Sequence, residues 1–140
     1  MLILQNDTFQ ILCRHAASQY PEECCGILLG VRKNEERLVC DVSPSENTVS
    51  MQSRTRFQIH PLTVLDAEKK AERQGWEIIG FYHSHPDHPA RPSEEDVMHM
   101  IKGYLYPIIS VQNGDAVHIR CFQKLRQSDT APQEILIKEK

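Results

Sequence analysis

Tyr82-His83-Ser84-His85-Pro86-Asp87-His88-Pro89-Ala90-Arg91-Pro92-Ser93-Glu94-Glu95-Asp96 is the stretch around which the other elements arrange themselves. It follows Ile78-Ile79-Gly80-Phe81-Tyr82, an apolar run with the length and make-up of a buried strand. Strand side chains alternate between faces, so His83 and His85 project the same way, with alpha carbons about 6.6 Å apart. Two imidazoles can close that gap by leaning onto one ion, while Ser84 points elsewhere. The three prolines between His85 and Ser93 forbid regular structure, so the chain turns there. Ser93 then reads as a helix cap, with Glu94, Glu95 and Asp96 in the first turn and a helix expected through Val97, Met98, Ile101 and Lys102 until Gly103 stops it. That geometry swings the Asp96 carboxylate back toward the histidines.

Two readings compete for Ser93 and Asp96. Ser followed three positions later by an acidic residue is close to a capping box, although Glu or Gln is the usual partner. Two imidazoles and one carboxylate with a fourth position left for water are also what a catalytic zinc needs. The joint pattern His-x-His-Pro, seven residues, Ser-x-x-Asp arises by chance in roughly one chain in ten thousand at ordinary residue frequencies, which favours the metal. Zinc is preferred over magnesium because two imidazoles suit so hard an ion poorly, while iron and manganese stay open. His88 is a decoy in sequence, His60 and His99 suit a helix start and a helix surface, and His118 suits the polar face of a strand.

These residues resemble the signature of the JAMM, or MPN-plus, zinc metallopeptidases, which joins an N-terminal glutamate to His-x-His-Pro-x7-Ser-x-x-Asp. Pro21-Glu22-Glu23-Cys24-Cys25-Gly26 is similar to the family's Pro-x-Glu-x-x-Gly segment and aligns the glutamate on Glu23, not Glu22. The resemblance runs from about residue 2 to residue 123. It implies one zinc per chain on His83, His85 and Asp96, with Glu23 moving the proton and the Ser93 hydroxyl bonding the oxyanion. It also implies a single-domain α/β fold, a mixed and largely antiparallel curved sheet flanked by three helices, like the cytidine-deaminase architecture. Compactness after Asp96 is similar to the small bacterial-type members. For those the resemblance implies hydrolysis of an amide bond after the C-terminal tail of a small ubiquitin-like or sulfur-carrier protein. An extended tail would dock beside an exposed strand, with Cys25 and Asn47 as candidate contacts.

The remaining chain is consistent with one domain. At 140 residues it can bury a substantial core unaided. A net charge of −3 with scattered Lys and Arg gives nucleic acid no footprint. No apolar run reaches the eighteen or so residues of a membrane span, and no signal-peptide core follows Met1, so a cytoplasmic location is expected. Five cysteines without Cys-x-x-Cys spacing read as core residues in a reducing compartment.

In order, a strand is expected over 2–4, a helix from a cap at 6–8 to about residue 18 with His15 on its surface, and strands over 23–31 and 38–42. A loop over 43–47 precedes weak strand candidates near Val49 and over 56–59. A helix runs from His60-Pro61 to Gly75, and the central strand occupies 76–82. Asn113-Gly114 marks a hairpin between runs 107–112 and 116–122. A polar connection spans 123–133, and an edge strand 134–138. Two other functions compete with this one: a non-catalytic MPN-type scaffold, which retention of all four site residues disfavours, and a cysteine hydrolase on Cys24 or Cys25, which lacks an electropositive setting.

Overall fold

The structure is a computed structural model that describes residues 1–46 and 59–139. Its elements are β1 (Leu2–Gln5), α1 (Asn6–Gln19), β2 (Cys25–Lys33), β3 (Glu36–Ser45), α2 (Pro61–Gln74), β4 (Glu77–Pro86), α3 (Glu94–His99), β5 (Leu105–Gln112), β6 (Asp115–Arg126), β7 (Asp129–Gln133) and β8 (Ile135–Lys138). The strands form one mixed eight-stranded sheet in the order β7-β6-β5-β4-β2-β3-β1-β8. β4 lies at its centre, antiparallel to β2 and parallel to β5.

The apolar sequence of β2 and β4 follows from cover on both faces. On one face α1 packs Leu12 and Ala16 against Leu4, Leu28, Ile79, Tyr82 and Ile109. On the other, Ala67 and Ala71 of α2 meet Ile27, Leu29 and Ile78. Beside α2, Ala90 and Met100 cover Tyr106, Ile108 and Phe122. A shift of register between Leu28 and Leu29 interrupts the β2–β4 pairing, as bulges do where a strand must be re-aimed. Beyond it the alternation is regular, and Tyr82 and Ser84 face away from His83 and His85.

Gly80 and Gly26 permit this close packing. A Cβ on Gly80 would overlap the backbone carbonyl of Leu105 on β5, and one on Gly26 would overlap the ring of Tyr82.

Several sequence expectations shift. The polar connection over 123–133 is mostly strand: β6 continues to Arg126, and β7 pairs with it through Gln123↔Ala131 and Lys124↔Thr130. β3 runs on through Ser43 to Ser45, opposite Cys25, where a loop was expected. α1 has no side-chain cap. His60 does cap α2, its Nδ1 accepting the Leu62 N–H at 3.0 Å. α3 ends at His99, short of Ile101, because Met100 turns to extended backbone (ψ 144°) and is buried. The Ile101 N–H then donates to the Tyr106 hydroxyl at 2.8 Å instead of continuing the helix. The expected contact at Asn47 and the strand candidates near Val49 and over 56–58 lie outside the described residues. Among the described residues, no helix is long and apolar enough to cross a membrane.

Candidate metal centre

His83 and His85 stand on the last turn of the β4 pleat, paired with Ile108 and Ser110 of β5, and His83 also with Cys25 of β2. The backbone is thus paired on both sides at His83 and on the β5 side at His85. Their Nε2 atoms lie 3.1 Å apart. Asp96 comes from the first turn of α3, and its Oδ2 lies 3.1 Å from His83 Nε2 and 3.0 Å from His85 Nε2.

The carboxylate is placed by the helix start. Ser93 Oγ accepts the Asp96 N–H at 3.0 Å, and Asp96 Oδ2 accepts the Ser93 N–H at 2.9 Å. The capping box and the meeting with the histidines are therefore one arrangement, not alternatives. Ser93 itself is exposed, and its Oγ already accepts a bond, so its O–H proton can be given to a bound group.

Glu23 is brought to the same histidines from the chain before β2. One of its carboxylate oxygens and one ring nitrogen from each histidine lie within 4.8 Å of one another. Glu23 is 2% exposed, whereas Glu22 is exposed, which fits the alignment on Glu23. The expected strand from residue 23 begins instead at Cys25, leaving Glu23 on the connection after α1.

Two observations test whether a metal suits these residues. First, the His85 ring presents Nδ1 to the Pro89 carbonyl at 3.0 Å. Only a protonated Nδ1 makes that bond, so the neutral ring directs its Nε2 lone pair at the cluster. Second, three electron-pair donors within 3.1 Å of each other repel unless a proton or a cation lies among them. Two imidazole nitrogens and one carboxylate oxygen are a donor set that suits zinc. The residues fit such an ion.

The charges follow from burial and these bonds. Burial alone would raise Asp96, but the histidine bonds hold it far below the ordinary carboxylate range. Burial lowers His83 below its usual value, and in His85 the Asp96 bond and the Pro89 carbonyl outweigh burial and raise it. Burial pushes Glu23 up to about 8; His85 opposes this, and Asp96 and Glu95 add to it. A carboxyl near 8 exchanges its proton readily around neutral pH.

The other candidates separate from the site. His88 and His118 are exposed, and His99 is the exposed end of α3. His15, expected on the surface, is half-buried with Nδ1 2.8 Å from the Tyr82 hydroxyl. Cys25 faces His83 across the β2–β4 pair yet is fully buried. Burial pushes the thiols of Cys24 and Cys25 up to about 12, so neither supplies the thiolate a cysteine hydrolase requires. Sequence reasoning missed Ser84: its Oγ accepts the Cys24 N–H at 2.8 Å. Alternation gave the direction of this side chain but not its partner.

The model of the prokaryotic homologs of the JAB domain matches residues 5–123. A desampylase from Haloferax volcanii is 32% identical over 104 residues, 74% of this chain and 73% of its own length. A probable TtuB-protein conjugate cleaving protease from Thermus thermophilus is 36% identical over 83 residues, 59% of this chain and 52% of its own. Among solved structures, a Desulfitobacterium hafniense protein superposes with a TM-score of 0.87 at 33% identity, over 100% of this chain and 94% of that one. With the match spanning β2 through most of β6, and so every residue of the cluster, this chain belongs to the JAB domain family in its prokaryotic branch.

Proposed function

We propose that the protein is a zinc-dependent peptidase or isopeptidase that hydrolyses the amide bond after the C-terminal tail of a small ubiquitin-like or sulfur-carrier protein. The observation that carries this reading is the convergence of His83 Nε2, His85 Nε2 and Asp96 Oδ2 within 3.1 Å, with the Glu23 carboxylate beside them. The substrate class is supported by relatives named as a desampylase and as a probable TtuB-protein conjugate cleaving protease.

His83, His85 and Asp96 would hold the zinc, which when bound acts as a Lewis acid on a carbonyl oxygen and acidifies water. Glu23 takes the proton of the attacking water and returns it to the leaving nitrogen, a transfer its raised pKa suits. The Ser93 hydroxyl donates to the oxyanion of the tetrahedral intermediate, a contact worth about 3 kcal/mol in comparable sites. The His85 ring is kept from rotating by the Pro89 carbonyl, and the His83 backbone is paired on both sides, with β2 and with β5. Five free thiols suit a reducing, cytoplasmic setting.

The test is incubation of the zinc-loaded protein with a small sulfur-carrier protein extended past its C-terminal Gly-Gly, beside a panel of isopeptide-linked conjugates. Cleavage directly after the tail in either class is expected. Intact substrates throughout, with zinc bound, would overturn the assignment.

A further inference from the structure

We infer that Ser84 and Asp87 are positioning residues that hold the Glu23 backbone against the histidines. This rests on Glu23 being the proton carrier of the proposed reaction. Glu23 sits between the end of α1 at Gln19 and the start of β2 at Cys25, outside both elements. A catalytic group on such a connection drifts unless its neighbours are tied down.

The first tie is one residue after Glu23. Ser84 N–H donates to the Cys24 carbonyl at 3.1 Å, and Cys24 N–H donates to Ser84 Oγ at 2.8 Å. In the hydrogen-bonded pairs of an antiparallel ladder, the two facing residues exchange both bonds through backbone atoms. Here a side chain takes one of them, at the position where β2 gives way to the Glu23 connection. Ser84 is 0% and Cys24 2% exposed, so water cannot replace a lost hydroxyl, and the Cys24 N–H would be left unsatisfied.

The second tie is three residues before Glu23. Tyr20 donates its hydroxyl to Asp87 Oδ2 at 2.7 Å. Asp87 is itself fixed: its Oδ1 accepts the Asn113 N–H at 3.0 Å, and its N–H donates to the Val111 carbonyl at 2.6 Å. Its φ of 57° is a conformation that Asp tolerates better than most residues. Asp87 thus joins the end of α1, the turn after the histidines and the β5–β6 turn. Ser84 and Asp87 bracket His85-Pro86 in the chain, so the residues that fix the Glu23 backbone share a four-residue segment with one of the rings Glu23 faces.

The test uses the zinc-loaded full chain and the variants Ser84→Ala, Ser84→Thr and Tyr20→Phe, reading zinc content, Cys24 amide hydrogen exchange, and kcat and KM on the extended sulfur-carrier protein. In Ser84→Ala the Cys24 amide should exchange at least about tenfold faster and kcat should fall by about ten- to a hundredfold. KM and zinc content should stay within about twofold of the wild type, and Ser84→Thr should restore protection and kcat. Wild-type kcat and protection in Ser84→Ala would overturn the inference. If Ser84→Ala does not fold, Tyr20→Phe decides: a fall in kcat alone supports the ties, and an unchanged kcat overturns them. If the zinc-loaded wild type cleaves nothing, the peptidase reading has failed. Cys24 exchange then decides this point by itself, with faster exchange in Ser84→Ala supporting the tie and unchanged exchange refuting it.

Discussion

Ser93 and Asp96 hold each other through two hydrogen bonds, Ser93 N–H to Asp96 Oδ2 at 2.9 Å and Asp96 N–H to Ser93 Oγ at 3.0 Å. The oxygen that completes the cap is the one that meets both histidines, so helix initiation and the candidate ligand set are a single construction.

Replacing each partner should separate its contributions. Ser93→Ala loses the cap, about 1 kcal/mol, and an oxyanion donor, about a hundredfold in kcat, while zinc stays bound. Asp96→Asn keeps an acceptor for the cap but removes a charged ligand, so zinc affinity should fall by more than about a hundredfold. Titration with zinc beside denaturant unfolding measures both, and loss of zinc in Ser93→Ala would put its hydroxyl on the metal.

The metal-free protein should carry a pH-dependent cost at Glu23. Burial raises this carboxyl from 4.5 to about 8, so between those values the folded state keeps a proton that the unfolded chain has released. The stabilisation from that proton is complete below about pH 4.5 and is lost as pH rises through about 8. Glu23→Gln does not titrate, so its stability relative to the wild type should rise across this window, by on the order of 5 kcal/mol at the upper end. Urea unfolding of both proteins at a series of pH values reads the gap, and a constant difference would contradict the burial argument.

Zinc should stabilise the fold in proportion to its binding. With free zinc at a thousand times its dissociation constant, the gain is about 4 kcal/mol, which for a domain of this size is a Tm rise of about 10 °C. Thermal unfolding with and without a chelator checks this, and identical midpoints would mean that no ion joins β4 to α3.

The central strand should tolerate no side chain at Gly80. Gly80→Ala sets a methyl against the Leu105 carbonyl and must part β4 from β5, whereas Gly26→Ala meets the ring of Tyr82, which has more room to yield. Chemical denaturation should show Gly80→Ala destabilised by about 3 kcal/mol or more and Gly26→Ala by about 1–3 kcal/mol. The reverse order would point to a looser β4–β5 contact.

What the sequence made legible was what local chemistry determines. The apolar run before His83 had to be a covered strand, the alternation put both imidazoles on one side, and Ser93 marked the helix that returns Asp96 to them. What stayed hidden depended on partners far along the chain. Asp129-Thr130-Ala131-Pro132-Gln133 has no apolar alternation because it is an edge strand with no buried position, and only its pairing with β6 reveals it. α3 stops early because Met100 is drawn into the cluster around Tyr106, a tertiary preference no cap encodes. The tie between Ser84 and Cys24 links residues 60 positions apart, and the His15 ring finds Tyr82 across 67.

Zinc content and turnover of Glu23→Gln, measured on the same preparation, test the account most directly. We expect one zinc per chain, as in the wild type, with cleavage of the extended sulfur-carrier protein reduced by at least about a thousandfold. Loss of the metal would make Glu23 a ligand, and turnover at the wild-type rate would mean that another group carries the proton; either result contradicts the assignment.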